Sequence, residues 1–528
     1  MNYLSILYLF LFLPLTVIIY HIVKKKYKWR VLLLASYIFF FLISGNLLIY
    51  LLFTTLSIHH FGMWLEKIDG ECGKVLNETV EDKKEIKEQF KRKKRKVLFL
   101  GILIQVGILF VYKYMPFFTV NINSIFNLLN IPYQFKIIKL LAPIGVSFYT
   151  LEALSYMIDV YNKKINADDN LGRLALYLAF FPQIMEGPIA RYSETAESLY
   201  EGHKITFKNI CFGSQRILWG ILKKFIIADR LNVVVKAIFA TGSNYDGGLV
   251  LLGAISYTLM LYMEFSGTID VVIGSAEIFD VHLPENFRQP FFAKNISEFW
   301  MRWHITLGAW FKDYIFYPVS LSKKMKKFTI KARKILGNYF GPIMVGSVAL
   351  FAVWSLNGLW HGAGWNYIFF GMYHFVLIVL GSFLEPGVRK LCHKLHINRD
   401  NLLYRFMQFS KLFILVVIGE LFFRANTLKE GFRLFGNIIN NFTLNSFFNN
   451  EFLKLGLDRA DYVIIIITLI IIFVIGLLKE KGVNIRESIA SKNIVIRWVI
   501  YFSLIMFIII FGAYGPGYAP VDPIYANF

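Results

Sequence analysis

Residues 340–366 read FGPIMVGSVALFAVWSLNGLWHGAGWN. The first twenty-one of them, 340–360, carry no charged side chain. An α-helix needs about 20 predominantly apolar residues to cross the hydrocarbon core of a bilayer. The run therefore reads as a membrane-crossing helix. It ends in Asn357-Gly358-Leu359-Trp360-His361-Gly362-Ala363-Gly364-Trp365-Asn366. Gly362-Ala363-Gly364 is a poor continuation for a helix, and glycine lets backbone or a ligand approach closely. A titratable side chain at this depth is costly, which makes His361 a functional-site hypothesis. The alternative is a satisfied polar group that closes a helix end at the interface. The local sequence leaves both readings open.

The whole chain belongs to the same class. Of 528 residues, 56% are hydrophobic and only 17% are charged, against about 25% charged in a soluble domain. Apolar runs of helix length recur, so the expected fold is an all-α polytopic membrane protein with roughly 11–13 spans. A transmembrane β-barrel would show short alternating segments instead. The formal net charge of +22 is assigned to cytoplasmic loops facing anionic lipid, and no nucleic-acid partner is expected. Cys72, Cys211 and Cys392 are scattered, without the spacing of a metal site or a disulfide framework.

Charge sets the expected orientation. Residues 1–20 are apolar, and Lys24-Lys25-Lys26-Tyr27-Lys28-Trp29-Arg30 follows at once. The positive-inside rule makes that loop cytoplasmic and the N-terminus external. Residues 31–65 read as two helices broken at Ser44-Gly45-Asn46, and 66–96 as a charged cytoplasmic segment ending in Lys91-Arg92-Lys93-Lys94-Arg95-Lys96. Residues 320–334 hold seven basic residues and no acid, so the 340–360 helix runs outward and leaves His361 toward the outer side. Two further spans near the end place the C-terminus outside as well. Three regions follow: N-terminal helices at 1–135, a central core at 136–425, and an outer loop with a helical hairpin at 426–528.

Several segments are too polar or too broken for simple spans. Pro143, Gly145, Pro182 and Pro188 interrupt apolar runs that also carry Glu152, Asp159 and Glu186. Such breaks are tolerated only inside protein or along a cavity. The expectation for these carboxylates is internal pairing. Arg216, Lys223, Lys224, Asp229 and Arg230 lie in an apolar frame and are expected to snorkel to an interface. Within 283–318, Trp300, Trp303, His304, Leu307, Trp310 and Phe311 recur at helical spacing. That pattern reads as an interfacial helix with an aromatic belt. The sharper alternative is a re-entrant element carrying Arg302 and His304 into a cavity.

The order of these motifs resembles the membrane-bound O-acyltransferase superfamily, and within it the bacterial alginate O-acetyltransferase-like branch. The resemblance rests on Leu141-Ala142-Pro143-Ile144-Gly145, Phe181-Pro182-Gln183-Ile184-Met185-Glu186-Gly187-Pro188 and Phe265-Ser266-Gly267-Thr268-Ile269-Asp270. Its strongest parts are Pro284-Glu285-Asn286-Phe287, Glu298-Phe299-Trp300-Met301-Arg302-Trp303-His304, Asp313-Tyr314 and Gly358-Leu359-Trp360-His361-Gly362. It covers about residues 1–425 in order. It implies a helical core around a central funnel, with His361 and His304 as the catalytic histidines. Arg302, Asn286, Trp303, Trp360, Asp313 and Glu186 are the implied candidates for donor binding or for stabilising an oxyanion.

The implied chemistry is acetyl transfer from a cytoplasmic thioester, acetyl-CoA, to a hydroxyl of an extracytoplasmic acceptor. The expected acceptor is an SGNH esterase-like protein or a cell-surface polysaccharide, reached from the bacterial cytoplasmic membrane. No bound cofactor or metal is implied. Histidine suits the task, because its unperturbed pKa of about 6.5 lies near neutrality. His361 is expected to take the hydroxyl proton, and His304 to orient the thioester or stabilise the oxyanion. Two other readings remain open: D-alanyl transfer to teichoic acid from a carrier-protein thioester, and a transporter or flippase, for which broken helices also speak.

Overall fold

The computed structural model describes residues 2–78, 83–138, 140–514 and 518. The described residues form helices and connecting turns; their only β feature is an isolated bridge between Phe287 and Trp303. Among the described residues, eight helical runs are long and apolar enough to span a membrane, against the 11–13 spans expected, and the first of these runs, Lys25–Glu78, holds two helices. Other apolar stretches form shorter, buried helices, Val146–Tyr161 and Leu171–Ala179. The chain end assigned to the outer side, 515–528, lies outside the described residues apart from Tyr518.

The described chain divides into two compact units. One comprises Met1–Ser214 and Val272–Pro284, the other Gln215–Val271 and Glu285–Ile524. In the first unit the break at Ser44-Gly45-Asn46 is where it was read. Helices Lys28–Ser44 and Leu48–Glu78 meet through a tight turn at Gly45–Leu47, with Gly45 at φ 54°. The broken 180–188 segment is held by Tyr3, whose hydroxyl donates to Phe181 O at 3.0 Å and accepts from Met185 N at 3.1 Å. Gly145 sits at φ 77°, and a Cβ there would lie 2.0 Å from Ile184 O, so only glycine fits. Two of the three carboxylates expected to pair internally have partners within this unit. Glu152 Oε1 accepts from Gln183 Nε2 at 3.1 Å, and Asp159 meets Lys164 at 3.2 Å.

The second unit corrects the snorkelling expectation. Arg216, Lys223, Lys224, Asp229 and Arg230 turn inward. Lys224 Nζ lies 2.9 Å from Asp229 and 2.7 Å from Glu264. Lys223 meets Asp270 and Ser266, Arg216 joins Asp270 to Glu285, and Arg230 pairs with Asp461 at 2.8 Å. The cause is a close helix approach. A Cβ on Gly220 would lie 2.3 Å from Gly267 O, so these glycines let Phe207–Leu222 and Gly247–Ile278 touch backbone to backbone. The carboxylates of the second helix then fall beside the lysines that continue the first through a π-turn at Lys223–Ala228.

Removing the cation from such a pair leaves charge behind. Breaking a buried ion pair by deleting one partner costs about 3–5 kcal/mol. Lys224→Met should therefore lower the unfolding temperature in detergent strongly, and a Lys224→Met/Glu264→Gln double variant should recover part of the loss. An unchanged melting curve for the single variant would refute the internal pairing.

Candidate functional site

The segment 285–320 does not form one amphipathic helix. It breaks into a turn at Pro290–Phe292, helices Ile296–Arg302 and Ile305–Phe311, a π-turn at Lys312–Phe316 and a short helix Tyr317–Ser320. Asn295 starts the first helix, its side chain accepting from Glu298 N at 2.9 Å. The helix stops because the chain at 302–305 bonds to 286–288 instead. Arg288 N donates to Arg302 O at 2.9 Å, Ile305 N donates to Asn286 O at 3.0 Å, and Phe287 bridges Trp303 between them. His304, at the break, takes φ 48° and ψ 51°. This left-handed conformation is uncommon for a non-glycine residue and persists only where the surroundings enforce it.

The break scatters the aromatic stripe read from sequence. Trp303 packs edge-on against Phe287 at 5.2 Å and lies near Tyr262. Trp300 turns to Trp354 at 4.9 Å and His374 at 4.8 Å. The His304 ring, itself buried, meets Phe265 at 4.9 Å and Trp360 at 5.7 Å. Its Nδ1 lies 3.2 Å from Asn286 Oδ1. The same oxygen faces Thr306 N at 3.2 Å and Thr306 Oγ1 at 3.0 Å.

His361 is the last residue of helix Lys323–His361 and is also buried. It packs against Trp360 at 5.0 Å, Phe423 at 5.2 Å and Phe370 at 6.0 Å. Trp360 thus touches both imidazoles, and it brings together two histidines that are 57 positions apart in the chain. The helix that follows, Trp365–Lys394, lies close against the first. A Cβ on Gly358 would sit 2.6 Å from Tyr367 O, and one on Gly371 2.4 Å from Trp354 O. Asn366 Nδ2 ties the turn to Ala425 O at 3.1 Å, which seats Phe423 beside His361.

The remaining sequence candidates fall in different places. Arg302 lies against two carboxylates, Glu298 at 2.7 Å and Glu480 at 2.6 Å. Its guanidinium joins helix Ile296–Arg302 to the end of helix Arg459–Glu480, a framework position. Asp313 is half-buried on the Lys312–Phe316 turn, and Glu186 is buried in the 181–186 turn of the other compact unit. His374 had no role in the sequence reading. It is fully buried, ringed by Trp300, Trp354, Phe370 and Tyr373, with no hydrogen-bond partner on either ring nitrogen among the described residues. Its sequence signal was a histidine inside a span, four residues after Phe370.

Two kinds of similarity bear on this geometry. Residues 168–335 match the family model described as MBOAT, membrane-bound O-acyltransferase family; that segment contains His304 and ends before His361. The probable alginate O-acetylase AlgI of Pseudomonas aeruginosa is 31% identical over 431 residues, 82% of this chain and 73% of the relative. The peptidoglycan O-acetyltransferase of Helicobacter pylori is 27% identical over 66% of this chain and 65% of its own length. The teichoic acid D-alanyltransferase of Bacillus subtilis is 30% identical over 48% of this chain and 62% of its own.

The place of Arg302 can be tested directly. Hydrogen bonds to charged groups contribute about 1.5–3 kcal/mol each. Arg302→Gln should lower the unfolding temperature while leaving the KM for the donor substrate unchanged. A raised KM with an unchanged melting curve would move Arg302 from the framework into donor binding.

Proposed function

The chain belongs to the membrane-bound O-acyltransferase family, in its alginate O-acetylase-like branch, and is a multi-pass membrane acyltransferase; from that premise we propose that it carries an acetyl group from cytoplasmic acetyl-CoA to an extracytoplasmic hydroxyl, for O-acetylation of a cell-surface or exported polysaccharide. The observation that carries this reading is the pair of buried histidines that both pack against Trp360.

The chemistry that such a pair serves can be written atom by atom. The acceptor hydroxyl gives its proton to an imidazole nitrogen of His361. Its oxygen attacks the thioester carbonyl carbon, and the tetrahedral species collapses by breaking the C–S bond. The sulfur departs as thiolate and takes up a proton, and an acetate ester remains on the acceptor. Positioned acid–base catalysis of this kind typically contributes about 10²–10⁴-fold. His304, backed by Asn286 and also packed against Trp360, orients the reacting groups. The aromatic edges of Phe265, Phe370 and Phe423 keep the site poor in water, where fixed dipoles act more strongly.

The acceptor in this proposal is an extracytoplasmic SGNH esterase-like protein or the polysaccharide itself, and the enzyme sits in the bacterial cytoplasmic membrane with both chain ends outside. D-alanyl transfer from a carrier-protein thioester is the second reading, favoured by the D-alanyltransferase similarity. The acetyl reading is preferred because the O-acetylating relatives align over a larger share of the chain.

Mass spectrometry of surface glycans decides between them. In cells carrying His361→Ala, O-acetyl esters should disappear from the glycan while the protein accumulates at its normal level. Normal acetylation in that variant would overturn the assignment, and loss of D-alanyl esters instead would select the second reading.

A further inference from the structure

We infer that Asn286 is a positioning residue, which fixes His304 with its proton on Nδ1 and so makes Nε2 the hydrogen- and proton-accepting atom that this histidine offers to substrate. The argument starts from a backbone group. Thr306 N is a donor, and it points at one atom of the Asn286 amide at 3.2 Å. That atom is therefore the amide oxygen; a reversed amide would set N–H against N–H. The same oxygen lies 3.2 Å from His304 Nδ1. A carbonyl oxygen only accepts, so Nδ1 carries the hydrogen. In the neutral ring the lone pair is then on Nε2. Burial of the ring favours that neutral form, because an isolated buried charge is costly.

Three features hold the arrangement rigid. Asn286 is fully buried. Its own carbonyl accepts from Ile305 N at 3.0 Å, so backbone and side chain of one residue grip both flanks of His304's successor. Ring packing by Phe265 and Trp360 fixes the plane of the imidazole. The left-handed backbone at His304 is what swings the ring round to Asn286.

The consequence narrows the role of His304. A neutral imidazole protonated on Nδ1, with that proton held by Asn286, has no second N–H for an oxyanion. It accepts instead, from a hydroxyl or amide hydrogen of the acceptor or of the thioester arm. The inference builds on the acyltransferase reading, but its first test does not need turnover.

Uniformly ¹⁵N-histidine-labelled protein in lipid bilayers, compared with His304→Gln, isolates the His304 ring signals. We expect a protonated, pyrrole-type Nδ1 and a pyridine-type Nε2. A pyridine-type Nδ1 overturns the inference whatever the enzyme transfers. Asn286→Leu, which keeps side-chain bulk but no acceptor, should scramble the tautomer and lower kcat on the order of 10²-fold or more, as expected when a catalytic imidazole loses its orienting partner, with a much smaller change in KM. Asn286→Asp, whose carboxylate also accepts from Nδ1–H, should restore the tautomer and much of kcat. Equal loss in both variants would reduce Asn286 to a structural residue, and so would an unchanged tautomer in Asn286→Leu. Should Asn286→Leu fail to accumulate, the wild-type spectrum and the Asp variant still decide. A correct tautomer in a protein that acylates none of the proposed acceptors would sink the functional proposal and leave this inference standing.

Discussion

Water is scarce inside a bilayer, so each ion and each broken stretch of backbone there has to be answered by the protein itself. Both compact units follow from that constraint. In the first, one hydroxyl, that of Tyr3, serves a carbonyl and an amide of the interrupted 180–188 segment. In the second, Lys223, Lys224, Arg216 and Arg230 each find carboxylates at ion-pair distance. Burying such pairs adds little net stability, but leaving any one partner alone would be severe. The glycines at 220 and 267 matter for the same reason. They bring two backbones close enough for lysine and carboxylate to meet without solvent.

The site applies this constraint to chemistry. A continuous helix through 296–311 would have satisfied its own backbone, and it would have pointed His304 along a belt of tryptophans. The bonds from 302–305 to 286–288 replace those helical bonds, so the chain can stop, reverse its local handedness and turn the imidazole inward. The second histidine arrives by a different route. A long helix ends at His361, and glycine contacts with the next helix hold that end beside Phe370 and Phe423. Trp360 then touches both rings. Two candidate catalytic groups are thus fixed from two separate frameworks, an arrangement that would suit preorganised acid–base chemistry in a site poor in water.

Much of this was legible in the residues. Helix breaks at Gly45 and Gly145, internal partners for Glu152 and Asp159, and the polar element at 283–318 all follow from what glycine, proline and carboxylates do at membrane depth. Other readings were misleading for a clear reason. Period alone placed Trp300, Trp303 and His304 on one face, because a helical wheel assumes an unbroken helix. Lys223 and Lys224 looked like snorkelling side chains, because Asp270 and Glu264, which hold them together with the nearby Asp229, lie on another helix far along the chain. The ion pair of Arg302 with Glu480 at 2.6 Å could not be foreseen, because Glu480 is far away in sequence. His374 was noted within its span but given no role, because nothing near it in the chain reveals the ring of aromatic side chains around it.

By itself, then, the sequence determined the solvent of this protein and its menu of elements. Hydropathy and run length require helices in a membrane, and titratable groups among apolar ones mark where energy is being used for something other than span formation. It also supplied both histidines. Tertiary structure alone decided which groups meet: which cation answers which carboxylate, that Trp360 lies against both imidazoles, and that His304 Nδ1 lies against Asn286 Oδ1. The reason is range. Hydropathy and helix propensity act over neighbouring residues, whereas a hydrogen bond such as Thr306 N to Asn286 Oδ1, or an ion pair across helices, exists only after distant segments have been folded to within about 3 Å.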